Sequence, residues 1–172
     1  RLYDYYDSPQ IDLLVNDDTI SIARLVPFIK KIFTFSYQEK QDNRWKQEIN
    51  LILKVYKKYD LSINLTASDR SIFYALIAGK KSISAVESDN RKSWWKKILL
   101  TQHYYFDNSQ HILRNNLQSL NLLNINFNNI HHPIEISSGA TLSVKKKLEG
   151  LKVADFVIFH PSTQYNYKVY PQ

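Results

Sequence analysis

Cysteine and methionine are absent from this 172-residue sequence, and glycine is limited to 3 residues. Without thiols the chain has no disulfides, no cysteine nucleophile and no cysteine-ligated zinc site. Because Gly79, Gly139 and Gly150 are isolated from one another, no glycine-rich loop of the dinucleotide or P-loop type is encoded. No apolar run approaches the roughly 18 residues of a membrane-spanning helix, and no signal-peptide pattern opens the chain. These absences favour a soluble domain without a glycine-based nucleotide site.

The histidines do not form a metal-binding pattern. The candidates are His111, His131 and His132, and they include no pair at the four-residue spacing that places two ligands on one helix face. No carboxylate pattern accompanies them. We therefore predict that the chain binds no metal.

Positive charge is unevenly distributed along the chain. The 23 Lys and Arg residues outnumber the 16 acidic residues by 7, and much of the excess occurs as adjacent lysines. These are the pairs 30–31, 57–58, 80–81 and 96–97 and the triplet 145–147. Lysine pairs at helix ends are also typical of plain solvated surface. The remaining charge favours an anionic partner, which charge alone leaves open between nucleic acid, anionic lipid and a phosphorylated sugar.

Hydrophobic periodicity predicts an α/β fold. Short apolar or alternating runs predict buried strands, and the stretches between them have the period of helices. The order strand, helix, strand is that of βαβ units, for which a parallel sheet with flanking helices is the simplest arrangement. The predicted strands cover residues 11–15, 29–35, 60–65, 82–86 and 154–159, and predicted helices cover 19–25, 70–78, 90–105, 109–120 and 145–151.

A further predicted helix begins near Asp42 and is amphipathic over about four turns. One face is apolar, and three lysines lie on the other side. The apolar residues are Trp45, Ile49, Ile52, Leu53 and Tyr56, and the lysines are Lys54, Lys57 and Lys58. In an amphipathic helix the apolar face is the one expected to be buried.

Ser68, Asp69 and Arg70 lie where a predicted strand meets the start of a predicted helix. In α/β folds such corners line the crevice at the carboxyl edge of the sheet, where ligands bind. Ser68 and Asp69 are also ordinary helix-capping residues, so capping alone is an equally good interpretation. Arg70 is the stronger ligand candidate because a cap needs no cation.

A second polar loop follows the predicted strand at 154–159. His160, Ser162, Thr163 and Lys168 offer hydroxyls and a cation, which suit a diphosphate even without glycine. The nearby tyrosines at 165, 167 and 170 fit either core packing or a platform for a purine base.

These motifs follow one another in a distinctive order along nearly the whole chain. They are residues 9–15, 27–29, 59–65, Ser68-x-Arg70-Ser71, Gln110-His111, 156–163 and Lys168-Val169-Tyr170-Pro171. Together they resemble glycosyltransferase family 9, the family of ADP-heptose:lipopolysaccharide heptosyltransferases. Two positions depart from the family pattern, since Tyr170 stands where Trp is usual and Ser162 where Gly is common. The second change leaves fewer backbone conformations to the loop.

The resemblance implies a GT-B architecture of two Rossmann-like domains that face each other across a cleft. Residues 1–140 would be the acceptor-side domain without its first strand, and 141–172 the crossing segment and the first strand and loop of the nucleotide-sugar domain. The chain opens without Met on a stretch typical of the end of a helix, so we expect a fragment. On this alignment the catalytic base lies upstream of Arg1, and the fragment alone is expected to be inactive.

The resemblance also implies the residue roles. Ser162, Thr163 and Lys168 would bind the donor diphosphate, and Ser68, Asp69 and Arg70 would bind a phosphorylated acceptor. An inverting transfer needs a carboxylate to accept the acceptor proton and donors to stabilise the departing diphosphate, which fits this assignment.

The function implied is transfer of heptose, or a related sugar, from a nucleotide sugar such as ADP-heptose to the lipopolysaccharide core, with inversion. No metal or cofactor beyond the donor is implied, and no nucleic acid. The enzyme would act in the cytoplasm at the inner face of the inner membrane, with peripheral contact to that surface. The alternative from another class is a non-catalytic or methyltransferase-like Rossmann module that binds nucleic acid through its basic helices.

Overall fold

Helices and parallel strands alternate along the structure, a computed structural model that describes residues 1–36, 44–88, 94–126, 134–152 and 155–157. The chain divides into two units, Arg1–Ile134 and Glu135–Gln172. The predicted boundary at residue 140 stays a prediction. The described strands are β1 (Ile11–Asn16), β2 (Ile29–Phe35), β3 (Tyr59–Asn64), β4 (Gly79–Val86) and β5 (Gln102–Tyr105). The described helices are α1 (Leu2–Tyr5), α2 (Ile20–Ala23, after a 3₁₀ turn at Asp17–Thr19), α3 (Arg44–Val55), α4 (Asp69–Ala78), α5 (Trp94–Leu99), α6 (Ile112–Leu122) and α7 (Ser138–Gly150).

The five described strands form two parallel sheets. One pairs β1 with β2, and the other has the order β3-β4-β5. The chain thus runs outward from β1 in one sheet and outward from β3 in the other, as in the two halves of a doubly wound fold. The predicted α/β class with parallel strands and flanking helices is confirmed, although the described strands form two sheets rather than one.

A side-chain hydrogen bond connects β1 and β3, which belong to different sheets. The Tyr59 hydroxyl of β3 donates a hydrogen bond of 2.8 Å to Asp12 Oδ2 of β1. Burial raises the pKa of Tyr59 far above its ordinary value, and the hydrogen bond to Asp12 adds to the rise. The folded protein therefore keeps this phenol protonated and able to donate.

The core of the first unit is built around α4. One face of α4 packs Tyr74 and Ala78 against Leu51 and Val55 of α3, with Phe33 of β2 beside them. Ile72, on another side of the helix, packs on Val86 of β4 and Leu100. A third cluster combines Ile83, Ala85 and Tyr104, which come from the adjacent strands β4 and β5. Helix α4 is therefore held from several directions, which fixes the position of its first turn.

Helix α3 is confirmed, and most of its predicted apolar face is exposed. Leu51 and Val55 are 4% exposed, whereas Trp45 and Leu53 are 80% and 68% exposed. The buried face also carries Gln47, whose side chain bonds both backbone groups of Ser36, at 2.8 and 3.0 Å. The inward face thus includes polar groups with partners, and Ile52 is the member of the predicted apolar face that packs on the core.

The region predicted as one helix over 90–105 ends earlier, and strand β5 follows it. Thr101 and Ser82 exchange hydrogen bonds between backbone N–H groups and hydroxyls, at 3.0 and 3.3 Å. This contact precedes the register in which Ile83 of β4 pairs with Gln102. The strand depends on the adjacent β4 for its backbone partners, and local periodicity carries no trace of that.

Gly79 follows α4, and close packing requires a glycine there. Its backbone is extended, with φ −109° and ψ 151°, so the left-handed conformation common after helices is not used. A Cβ at this position would lie 2.7 Å from both the Ser62 nitrogen and the Lys81 oxygen. Glycine is needed here because β3 passes too close for any side chain.

The second unit contains α7, which is longer than the predicted turn at 145–151. Ser137 caps it, since Ala140 N–H donates to Ser137 Oγ at 3.2 Å. Lys145 and Glu149 form an exposed ion pair of 4.0 Å one turn apart. The predicted strand at 154–159 lies largely outside the described residues.

Candidate functional site

The corner between β3 and α4 is rich in hydroxyl groups. Ser68 is the N-cap of α4 and accepts a hydrogen bond of 3.3 Å from the Ser71 N–H. Its hydroxyl also lies 2.7 Å from that of Ser71, which lies 2.7 Å from that of Thr66. The residues Thr66 and Ser68 are exposed, so these hydroxyls stand at the surface of the carboxyl edge of the sheet. The predicted capping role of Ser68 is confirmed.

Two polar residues on neighbouring strands support this corner from below. Asn64, the last residue of β3, donates to Ser84 Oγ at 2.8 Å and to the Thr66 carbonyl at 2.5 Å. Ser84 lies on β4 and is completely buried. Buried polar groups of this kind hold one geometry because every alternative leaves them unpaired. The loop after β3 is therefore held in place by side chains of the sheet itself.

Lys96 is a buried cation that holds the same corner from the other side. It comes from α5, is 1% exposed, and donates to the Ala67 carbonyl at 2.7 Å. Its Nζ also lies 2.6 Å from Asp69 Oδ1. A buried ammonium is stable only with such partners. In the sequence Lys96 belongs to a lysine pair of the kind typical of solvated surface. Lys96 nevertheless lies four residues before the buried Leu100 and so shares a helix face with it.

Arg70 has partners within the fold. Its Nε lies 3.0 Å from Glu48 Oε1 as an ion pair, and its guanidinium lies over the ring of Phe35. The Tyr74 hydroxyl donates to the other oxygen of Glu48. Burial, followed by the bond to Glu48, raises the pKa of Tyr74 to about 12. Arg70 Nη2 is buried, and among the described residues no acceptor bonds it.

A second corner, after β5, is held by hydrogen bonds among its own residues. Asp107 accepts hydrogen bonds from the Ser109 N–H and hydroxyl and from Gln110, at 2.6–2.8 Å. These donors, the Ser109 hydroxyl foremost, lower the pKa of Asp107. The buried Asn115 bonds both backbone groups of Asp107. His111 caps α6 by accepting from the Leu113 N–H at 3.2 Å, so the helix begins three residues after its predicted start at 109.

The predicted acceptor residues are thus brought together in one corner, each with a partner of its own. Ser68 caps α4, Asp69 pairs with Lys96 and Arg70 pairs with Glu48. Their role in binding an acceptor stays a prediction. Ser162, Thr163 and Lys168, the predicted donor residues, lie outside the described residues, as do His131 and His132.

The described part of the chain contains neither a cluster of metal ligands nor a membrane-spanning helix. Within it, no three His, Asp or Glu side chains converge as a cation site would require. None of the helices described there has the length and hydrophobicity to cross a bilayer.

The fold is similar to a known structure. The crystal structure of the glycosyl transferase family 9 protein from Veillonella parvula DSM 2008 matches 94% of this chain with a TM-score of 0.61 and 17% sequence identity. The chain spans 47% of the length of that protein. No protein-family model and no curated protein matches the sequence. At this identity the similarity establishes the fold.

Proposed function

We propose that the protein is a glycosyltransferase that transfers heptose, or a related sugar, from ADP-heptose to the lipopolysaccharide core with inversion. The observation that supports this most is the fold, which matches a family 9 glycosyl transferase over 94% of the chain. The motif order that resembles the same family supports it independently. We place the reaction at the inner face of the inner membrane, with no metal and no cofactor beyond the donor.

We propose that the β3–α4 corner binds the acceptor. It lies at the carboxyl edge of parallel strands, where α/β folds bind ligands. The exposed hydroxyls of Thr66 and Ser68 suit sugar hydroxyl groups, and Arg70 adds a positive charge suited to a phosphorylated core sugar. Because Asp69 is paired with Lys96, its proposed contribution is to hold the loop that binds the acceptor.

We propose that Ser162, Thr163 and Lys168 bind the donor diphosphate. Negative charge grows on the leaving diphosphate during transfer, and a lysine with hydroxyl donors stabilises it. The base that accepts the acceptor proton is not assigned to a residue of this chain.

The acceptor assignment is tested by comparing two helix caps of the same kind. Ser68→Ala and Ser137→Ala each remove a serine N-cap and should each cost about 1 kcal/mol of stability. Only Ser68→Ala should raise the KM for the core acceptor, by about tenfold for one lost hydrogen bond. Steady-state kinetics of the full protein that carries this chain, with ADP-heptose as donor, measure the difference. Equal acceptor KM values for the two variants would exclude Ser68 from the acceptor site.

A further inference from the structure

The outward face of α3 carries a row of exposed apolar side chains. Trp45, Ile49, Leu53 and Tyr56, called here the α3 stripe, are between 51% and 80% exposed. The first three are spaced four residues apart, and Tyr56 continues the helix by donating its N–H to the Ile52 carbonyl at 2.8 Å. At about 1.5 Å per residue the stripe is about 16 Å long. Large apolar groups in such a row usually mark a binding surface.

The stripe is not needed to attach α3 to the rest of the unit. The opposite face already buries Leu51 and Val55 against α4. It also bonds Gln47 to the backbone of Ser36 and pairs Glu48 with Arg70. The helix is therefore held without any contribution from its outward apolar groups.

Exposed lysines lie beside the stripe on α3 and just after the helix ends. Lys46, Lys54, Lys57 and Lys58 are exposed, and within the described part of the chain none of them pairs with a carboxylate. The only acidic residue between positions 44 and 58 is Glu48, which faces inward to Arg70. The outward face of α3 is thus apolar along its centre and cationic beside it.

We infer that the α3 stripe and its four lysines dock on an anionic lipid bilayer. Trp and Tyr favour the headgroup region, and Ile and Leu reach toward the acyl chains, as in helices that lie in the plane of a membrane. Lysine stems extend along the apolar surface so that their ammonium groups meet lipid phosphates. Docking on a bilayer rests on the proposed function, because a glycolipid acceptor lies in a bilayer. The new element is the protein surface that contacts the lipid.

The dimensions and charge of the stripe favour lipid over a protein partner. A strip about 16 Å long and about 10 Å wide covers about 160 Å², far below the roughly 800 Å² per partner of a specific protein interface. A second copy of the chain would bring two cationic faces together. A bilayer needs no complementary shape and supplies the opposite charge.

Vesicle flotation without any nucleotide sugar tests the inference. The full chain should bind vesicles of phosphatidylcholine mixed with phosphatidylglycerol and should bind pure phosphatidylcholine vesicles far more weakly. Leu53→Glu should lower the affinity at least about tenfold, since burial of a leucine is lost. Lys54→Glu with Lys57→Glu should lower it about thirtyfold or more.

Helix α7 supplies matched controls. Leu142 is 57% exposed and is followed by the triplet Lys145, Lys146 and Lys147. Leu142→Glu and Lys145→Glu with Lys146→Glu repeat the same chemical changes there and should leave vesicle binding near that of the unaltered chain. Circular dichroism should show that all variants remain folded, since the altered side chains are exposed.

Several results would overturn the inference. These are equal loss in the α3 and α7 variants, equal binding to neutral and anionic vesicles, or no vesicle binding at all. A dimer that Leu53→Glu dissociates, in a chain that does not bind vesicles, would instead identify a protein interface. Vesicle binding by this chain, with no sugar transfer by the full protein that carries it, would contradict the proposed function and leave this inference standing.

Discussion

Tyr104 is a residue whose cost to the fold can be measured directly. It is 6% exposed in the β4–β5 cluster, and in the described part of the chain its hydroxyl has no hydrogen-bond partner. A buried hydroxyl without a partner loses its bonds to water and gains none. The aromatic ring therefore stabilises the core while its hydroxyl opposes that stabilisation.

Tyr104→Phe should raise the free energy of unfolding at neutral pH by about 1 kcal/mol, because it removes only the unpaired hydroxyl. Urea unfolding measures the change. Tyr105→Phe is the matched control, since the neighbouring Tyr105 is 52% exposed, and it should change little. A destabilised Tyr104→Phe protein would mean that the hydroxyl has a partner.

The same residue makes the fold sensitive to alkali. Burial raises the pKa of Tyr104 to about 12, and burial with Glu48 raises that of Tyr74 to about 12, from an ordinary 10.0. Between these values the unfolded chain loses phenolic protons that the folded protein keeps, so the free energy of unfolding falls as pH rises from 10 to 12. Unfolding titrations in that range should show a smaller fall for Tyr104→Phe. An equal fall would contradict the burial of this phenol.

At the scale of elements, the sequence predicts best those helices and strands whose apolar residues face the core and whose polar residues face solvent. Strand β2 is found at Ile29–Phe35 as predicted, and α4 begins one residue before its predicted start. The buried face of helix α3 and the existence of strand β5 depend on tertiary contacts, which local sequence patterns do not show. Glu48 and Gln47 lie on the inward face because they bond Arg70 and Ser36. Strand β5 forms because its backbone pairs with the adjacent β4.

Lys96 shows the same limit for the site. The sequence predicts a ligand-binding corner at Ser68, Asp69 and Arg70, and in the structure that corner is polar and lies at the sheet edge. The cation that holds its loop comes from another helix, 27 positions after Asp69, and no local pattern joins the two. A buried lysine is identified only when its carbonyl and carboxylate partners are known.

Lys96→Met should destabilise the protein by about 2–3 kcal/mol, because a charged hydrogen-bond donor to a part-buried carbonyl is lost. Backbone amides of residues 66–71 should exchange hydrogen faster, as measured by mass spectrometry. Lys97→Met provides the control, since Lys97 contacts only the ring of Tyr105, at 4.9 Å, among the described residues. That variant should lose less than about 1 kcal/mol. Equal exchange in both variants would show that Lys96 does not hold the loop.

At the scale of the whole molecule, the order of the strands is the main evidence for the fold. Strands β1-β2 and β3-β4-β5 each run outward along the chain, and this arrangement matches a family 9 glycosyl transferase structure over 94% of the chain. Composition sets the other boundary. The net charge of +7 and the absence of a glycine-rich loop are compatible with the proposed anionic acceptor and with the proposed donor loop of hydroxyls and lysine.

The central claim is glycosyl transfer, and product analysis tests it most directly. The protein that carries this chain is incubated with ADP-heptose and a lipopolysaccharide core acceptor. Mass spectrometry follows sugar addition and ADP release, and nuclear magnetic resonance determines the anomeric configuration. The account predicts addition of one sugar with inversion, and Lys168→Ala should lower kcat/KM by about a hundredfold or more. A folded protein that releases no ADP and adds no sugar, with this or any other nucleotide sugar, would contradict the account.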